Sequence, residues 1–198
     1  MAKLLNWGNA ARTLRQTPLT TFSPQDLIHL SGATETSARF LLTRAVKRRD
    51  CLKLRRGLYA LPDRLPSELE VANALYRPSY ISFTFALSYY QLIPETVYTI
   101  TSATTRTTAT FDTLGHHFVY HRLKRVAFTG YSPTLVNGQT IWIAEPEKAF
   151  VDSMYLATLE HHNLPERLRV QKLSKTKVRA YAKLFQHEAL LKAIEKIL

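Results

Sequence analysis

Between residues 23 and 61 the chain carries a run of start and stop signals that admits few folds. Ser23-Pro24-Gln25-Asp26 opens a helix: serine is a good N-cap, and proline suits the first helical position, where its missing amide costs nothing. Ser31-Gly32 closes that helix, because glycine tolerates the left-handed backbone of a helix end. Thr34 or Thr36 opens a second helix, read as 34–49. Its apolar positions Ala38, Leu41, Leu42, Ala45 and Val46 recur at helical spacings, which predicts one buried stripe. The opposite face carries Thr36, Ser37, Arg39, Phe40, Thr43, Arg44 and Lys47. Leu52 and Leu54 then alternate with polar residues, Arg55-Arg56-Gly57 forms a turn, and Leu58-Tyr59 resumes the pattern of a β-hairpin. A helix over 3–15, ended by Thr17-Pro18, precedes all of this. Three helices followed by a two-stranded wing is the order of a winged helix-turn-helix.

Pro62-Asp63-Arg64-Leu65-Pro66 reads as a linker, so the expected domains are 1–63 and 64–198. In the second, Ser67 caps a helix to about Tyr76 and Ser82 caps another over 83–91. Strand composition dominates 97–143, with strands expected at 97–103, 107–111, 116–123 and 126–130. Asn137-Gly138 marks the clearest hairpin, between 135–136 and 139–143. Pro146 begins a helix to about Glu160, and three more helices are read over 165–173, 174–186 and 188–198. The expected class is α+β, a winged helix-turn-helix followed by a mixed sheet with flanking helices and a helical tail.

Charge gives the first domain a partner. Lysine and arginine number 27 against 15 acids, a net +12. Residues 1–64 hold 12 basic and 4 acidic residues, a net +8, so two thirds of the excess sits in one third of the chain. Such a surface attracts nucleic-acid phosphates. Arg39 and Arg44 suit bidentate pairing with guanine in the major groove, and Thr36, Ser37 and Thr43 can reach bases or phosphates. Arg55 and Arg56 at the wing tip suit a phosphate or minor-groove contact, while Lys47, Arg48 and Lys53 add sequence-independent attraction. A protein-interaction module with an acidic partner is the alternative for the same face.

Enzymatic signatures are missing from the sequence. A nucleotidyltransferase needs a Gly-Ser turn and paired carboxylates, and a P-loop needs Gly-Lys-Ser/Thr; none occurs. Asp112, Glu145, Glu147 and Lys148 hint at a nuclease, but Glu145-Pro146-Glu147-Lys148 reads better as acids at a helix start. His117 and His121 on one strand stand roughly 13 Å apart, too far to share a metal, and His116 joins them as a surface residue. His161-His162 reads as a helix end. No cofactor or metal is expected, and no enzyme. The aromatics of 76–98 and 111–131 read as core, with Tyr89-Tyr90 left open as a partner surface. Cys51, the single cysteine, reads as a packed thiol that fits a reducing cytoplasm, and no apolar run is long enough to span a membrane. Residues 1–25 lack acids like an organellar presequence, yet they also fit the first helix, so a cytoplasmic protein is expected.

The wing segment Leu54-Arg55-Arg56-Gly57-Leu58-Tyr59-Ala60-Leu61 resembles the AbiEi family of antitoxins. So do Ser79-Tyr80-Ile81-Ser82, Ala86-Leu87-Ser88-Tyr89-Tyr90, Leu92-Ile93-Pro94, Val97-Tyr98-Thr99-Ile100-Thr101-Ser102 and Ala144-Glu145-Pro146-Glu147-Lys148-Ala149. The similarity spans about residues 3–160 and leaves the tail 165–198 unmatched. The resemblance implies the antitoxin half of a bacterial type IV toxin-antitoxin pair, linked to abortive phage infection. It implies repression of the chain's own promoter through repeated sites in double-stranded DNA. It also implies opposition to a nucleotidyltransferase-like toxin, without implying direct contact. Two alternatives stand beside it: an antitoxin that binds its toxin directly, and a plain regulator with no toxin.

Overall fold

The computed structural model describes residues 6–160 and 167–198. The chain is α+β and divides into two compact units, 1–75 and 76–198. The division falls one helix later than the proline-bounded linker, because Thr20 donates to Glu70 (2.8 Å) and ties that helix to the first unit.

The first unit follows the order α1 (Trp7–Arg15), β1 (Thr21–Phe22), α2 (Pro24–Ser31), α3 (Glu35–Lys47), β2 (Leu52–Arg55), β3 (Leu58–Ala60) and α4 (Glu68–Leu75). The local signals act where they stand. Asn6 caps α1, accepting from the Gly8 amide at 2.7 Å. Ser23 and Asp26 form a reciprocal capping box on α2, and Gly32 ends it at φ 66°. Thr34, rather than Thr36, caps α3 by accepting from the Ser37 amide. Arg48 is the C-cap, and Arg49 at φ 63° closes the helix in a Schellman motif: its amide donates to the Val46 carbonyl (3.1 Å) and the Asp50 amide to the Ala45 carbonyl (2.9 Å). Antiparallel strands pair in the order β1-β3-β2, with the Phe22 ring stacked on Tyr59 at 6.0 Å. Leu14, Phe22, Leu27, Ala38, Leu42, Ala45, Cys51 and Leu61 form one core beneath the helices and the hairpin.

The second unit is built on a six-stranded mixed sheet, β6-β7-β5-β4-β9-β8. Its strands are β4 (Ser79–Ile81), β5 (Ile100–Thr104), β6 (Ala109–Thr113), β7 (His116–Arg122), β8 (Tyr131–Val136) and β9 (Gln139–Ala144). β5 and β7 run parallel, as do β4 and β9; the other neighbours are antiparallel. Every residue of β5 is buried, as expected for a strand covered on both faces. Asn137 and Gly138, both at positive φ, turn β8 into β9. Helix α6 (Pro146–Glu160) is the hub, touching β9, α5 (Phe83–Tyr89), α7 (Lys175–Leu184) and α8 (Glu188–Ile197).

Four expectations for this unit change. Residues 126–130 are not a strand: Arg125–Ala127 is a 3-10 turn and Val126 is 60% exposed, so its β-branched side chain has no sheet to cover. Conversely, 79–81 is a strand, β4, in the middle of the sheet. Ser82 precedes α5 without capping it, because its hydroxyl is used elsewhere. Of the helix expected at 165–173, the described part holds one 3-10 turn, Val170–Lys172.

Candidate nucleic-acid interface

The core dictates which way α3 faces. Ala38, Leu42 and Ala45 are buried, so the opposite side of the helix must point outward. Thr36, Ser37, Arg39, Thr43, Arg44, Lys47 and Arg48 are all exposed there. Arg39 Nη2 donates to Glu35 Oε1 at 2.6 Å, one turn away. Both partners are solvent-exposed, so the pair is worth only ~0.3–0.5 kcal/mol and yields readily to a stronger anion. The Thr43 hydroxyl donates to the Arg39 carbonyl (2.9 Å), and the Ser37 hydroxyl accepts from Thr34 (3.0 Å). Among the described residues no carboxylate pairs with Arg44, Lys47, Arg48, Lys53 or Arg56.

Cys51 and Leu61, which flank the hairpin, lie in the same core cluster as Ala38, Leu42 and Ala45 of α3, and Tyr59 of β3 packs against it. Gly57 at φ 80° makes the turn; nothing lies near its missing Cβ, so backbone conformation alone asks for glycine there. Lys53 and Arg56 are exposed. Arg55 is half-buried: its Nη1 donates to the Arg56 carbonyl (3.1 Å) and its covered Nε has no partner. The turn therefore presents Arg56 outright and Arg55 only in part.

Cys51 is a packed thiol. Burial, helped by the neighbouring Asp50 charge, pushes it up to about 12. Iodoacetamide at about pH 8 is therefore expected to leave native Cys51 unmodified and to alkylate it once urea opens the core. Fast labelling of the folded chain, read by mass spectrometry, would contradict this packing.

The second unit scatters the residues that hinted at a nuclease. Asp112 pairs with His117 (2.6 Å), Glu145 with Lys177 (2.9 Å), and Glu147 accepts from the Ser174 amide (3.2 Å). Lys148 goes inward instead, to a cluster that motif reading does not reveal. Its ammonium binds Asp152 Oδ1, whose Oδ2 accepts from Tyr80 Oη (3.0 Å) and Ser82 Oγ (2.7 Å). The Lys148 Nζ also lies 5.0 Å from the Phe185 ring centroid. Both charged side chains are 0% exposed. Burial pushes the Lys148 ammonium down and the Asp152 carboxyl up, against their mutual attraction. Sealed from solvent, the cluster pins α6 to β4 and to the start of α5. The one clue in the sequence is the i, i+4 spacing of Lys148 and Asp152 on a helix.

The histidines do not converge: His117 faces Asp112, and His121 meets the Phe83 ring edge-on. Among the described residues no group of three or more His, Cys, Asp or Glu is placed to hold a metal. His161 and His162 lie outside the described residues. Tyr80, Phe118 and Tyr120 of the sheet and Phe83 of α5 fill the core, whereas Tyr98 is 84% exposed. Tyr90 donates to the Ala144 carbonyl (2.9 Å), while neighbouring Tyr89 faces solvent. No described helix is long and apolar enough to cross a membrane. Compared with known proteins, the chain matches no protein-family model and no curated protein.

Proposed function

We propose that the first unit is a winged helix-turn-helix that binds double-stranded DNA, with α3 in the major groove and the β2–β3 turn on the flanking backbone. One observation carries this reading: the outward face of α3 offers Thr36, Arg39, Thr43, Arg44 and Lys47 to solvent, with Glu35 its only carboxylate. An α-helix fits the major groove, and arginine there reads guanine by paired hydrogen bonds. By its resemblance to the AbiEi antitoxins, the chain represses its own promoter and opposes a nucleotidyltransferase-like toxin in the cytoplasm. Without a toxin gene beside it, the same chemistry is that of a plain regulator.

A mobility-shift titration against the chain's own promoter tests the DNA reading. Affinity is expected to fall on the order of a thousandfold between about 50 and 200 mM salt, as phosphate contacts release counterions. Arg44→Ala is expected to relax preference at one base position, and Lys47→Ala to reduce the salt slope by about one at every sequence. Absence of binding, or binding indifferent to salt, would overturn the proposal. The antitoxin role is tested separately, by co-expression with the neighbouring gene: rescue of growth supports it, and a harmless neighbour removes it.

A further inference from the structure

One large apolar side chain stands among the polar and basic residues of α3's outward face. Phe40 is 65% exposed. At 100° per residue it lies about 200° round the helix from Ala38, directly away from the buried seam. Thr36, Thr43 and Arg44 are its neighbours at i−4, i+3 and i+4. Folding gives no reason for a ring there. Phe40 belongs neither to the core cluster nor to the half-buried residues packed on it, and it makes no ring contact with another aromatic among the described residues.

An exposed ring beside Arg44, on the same outward helix side as Arg39 and Lys47, fits a surface that is apolar at one spot and anionic around it. The major groove of DNA is such a surface. Its base edges are hydrogen-bonding groups with one apolar exception, the C5-methyl of thymine, and phosphates line both sides. A phenyl ring has nothing to offer a phosphate or a carbonyl edge. Resting on the proposal that α3 enters the major groove, we infer that Phe40 is a specificity-determining residue that reads the methyl group of a thymine. Arginine contacts then select guanine on the same helix, and Phe40 selects thymine between them.

The test separates this inference from DNA binding itself. Duplexes retained by the full chain are recovered from a randomised pool. They are then resynthesised with deoxyuridine replacing thymidine, one position at a time, which removes a methyl and nothing else. The expected result is one position where the replacement weakens binding about fourfold, the worth of one buried methyl. Phe40→Ala should weaken binding to the thymidine duplex to a similar degree and erase the thymidine–deoxyuridine difference, as a double-mutant cycle requires of two groups in contact. If duplexes are recovered but every deoxyuridine is silent, or the difference survives in Phe40→Ala, the inference is overturned while DNA binding stands. If no duplex is retained, the proposed function fails and this inference with it. The deoxyuridine arm uses the unaltered chain, so the outcome does not hang on the folding of a variant.

Discussion

Asp152→Ala is expected to lower the stability of the second unit by about 3–5 kcal/mol, the usual cost of stranding one member of a buried ion pair. The geometry gives the reason. Asp152 is the shared acceptor for the Lys148 ammonium, the Tyr80 phenol and the Ser82 hydroxyl. Without it, a 0% exposed ammonium keeps only the Tyr80 and Phe185 rings for company, and two buried hydroxyls lose their acceptor. Replacing both charges, Lys148→Met with Asp152→Leu, removes the desolvation penalty along with the attraction. That double variant should recover the part of the loss that comes from the stranded ammonium, while the Tyr80 and Ser82 hydroxyls still lack an acceptor. The measurement is urea unfolding followed by Trp142 fluorescence, with Trp7→Phe silencing the other of the two tryptophans. The midpoint should drop at unchanged slope. A loss under about 1 kcal/mol for the single variant would mean that the pair contributes little and that other contacts hold α6 to β4.

Arg55→Ala combined with Arg56→Ala is expected to weaken DNA binding on the order of a hundredfold, and to do so equally for every sequence. Two charge-assisted hydrogen bonds at about 1.5 kcal/mol each, the low end that suits contacts at a solvent-exposed turn, supply that loss. The salt slope should fall by about two as two phosphate contacts disappear. The singles should be unequal. Arg56 is exposed and Arg55 is partly committed to the hairpin's own backbone, so Arg56→Ala should carry the larger share of the affinity. Arg55→Ala should also disturb the turn, because its stem is half-buried there. Fluorescence anisotropy over a salt series reads both quantities. An unchanged slope in the double variant would remove the hairpin from the interface.

What the sequence disclosed tracks how local each determinant is. Ser23 with Asp26, Gly32, Thr34 and the Asn137-Gly138 pair act on neighbours within four residues, and each stands where the pattern places it. The outward face of α3 was legible for the same reason, since its three buried residues repeat with the helical period. Ser82 shows the limit. Read locally it is a helix cap, yet its hydroxyl is spent on Asp152, seventy residues onward. β4 is only three residues long between two helix signals, and its strand character comes from β5 and β9, far along the chain. β1, two residues paired with β3, is a strand for the same non-local reason. The Lys148 cluster needs the folded sheet to assemble it, so no motif in the sequence announces it.

The position of β4 also orders events as the polypeptide leaves the ribosome. Its antiparallel partner β5 follows soon after, but its parallel partner is β9, whose last residue is Ala144. Until that stretch has emerged, one flank of β4 stays unpaired, and parallel pairings across long separations close slowly. Every pairing inside residues 1–75 is available by the time β4 itself appears. Synthesis therefore leaves one strand edge open for roughly 60 residues of elongation, and an unpaired edge of this kind is prone to wrong pairing and aggregation.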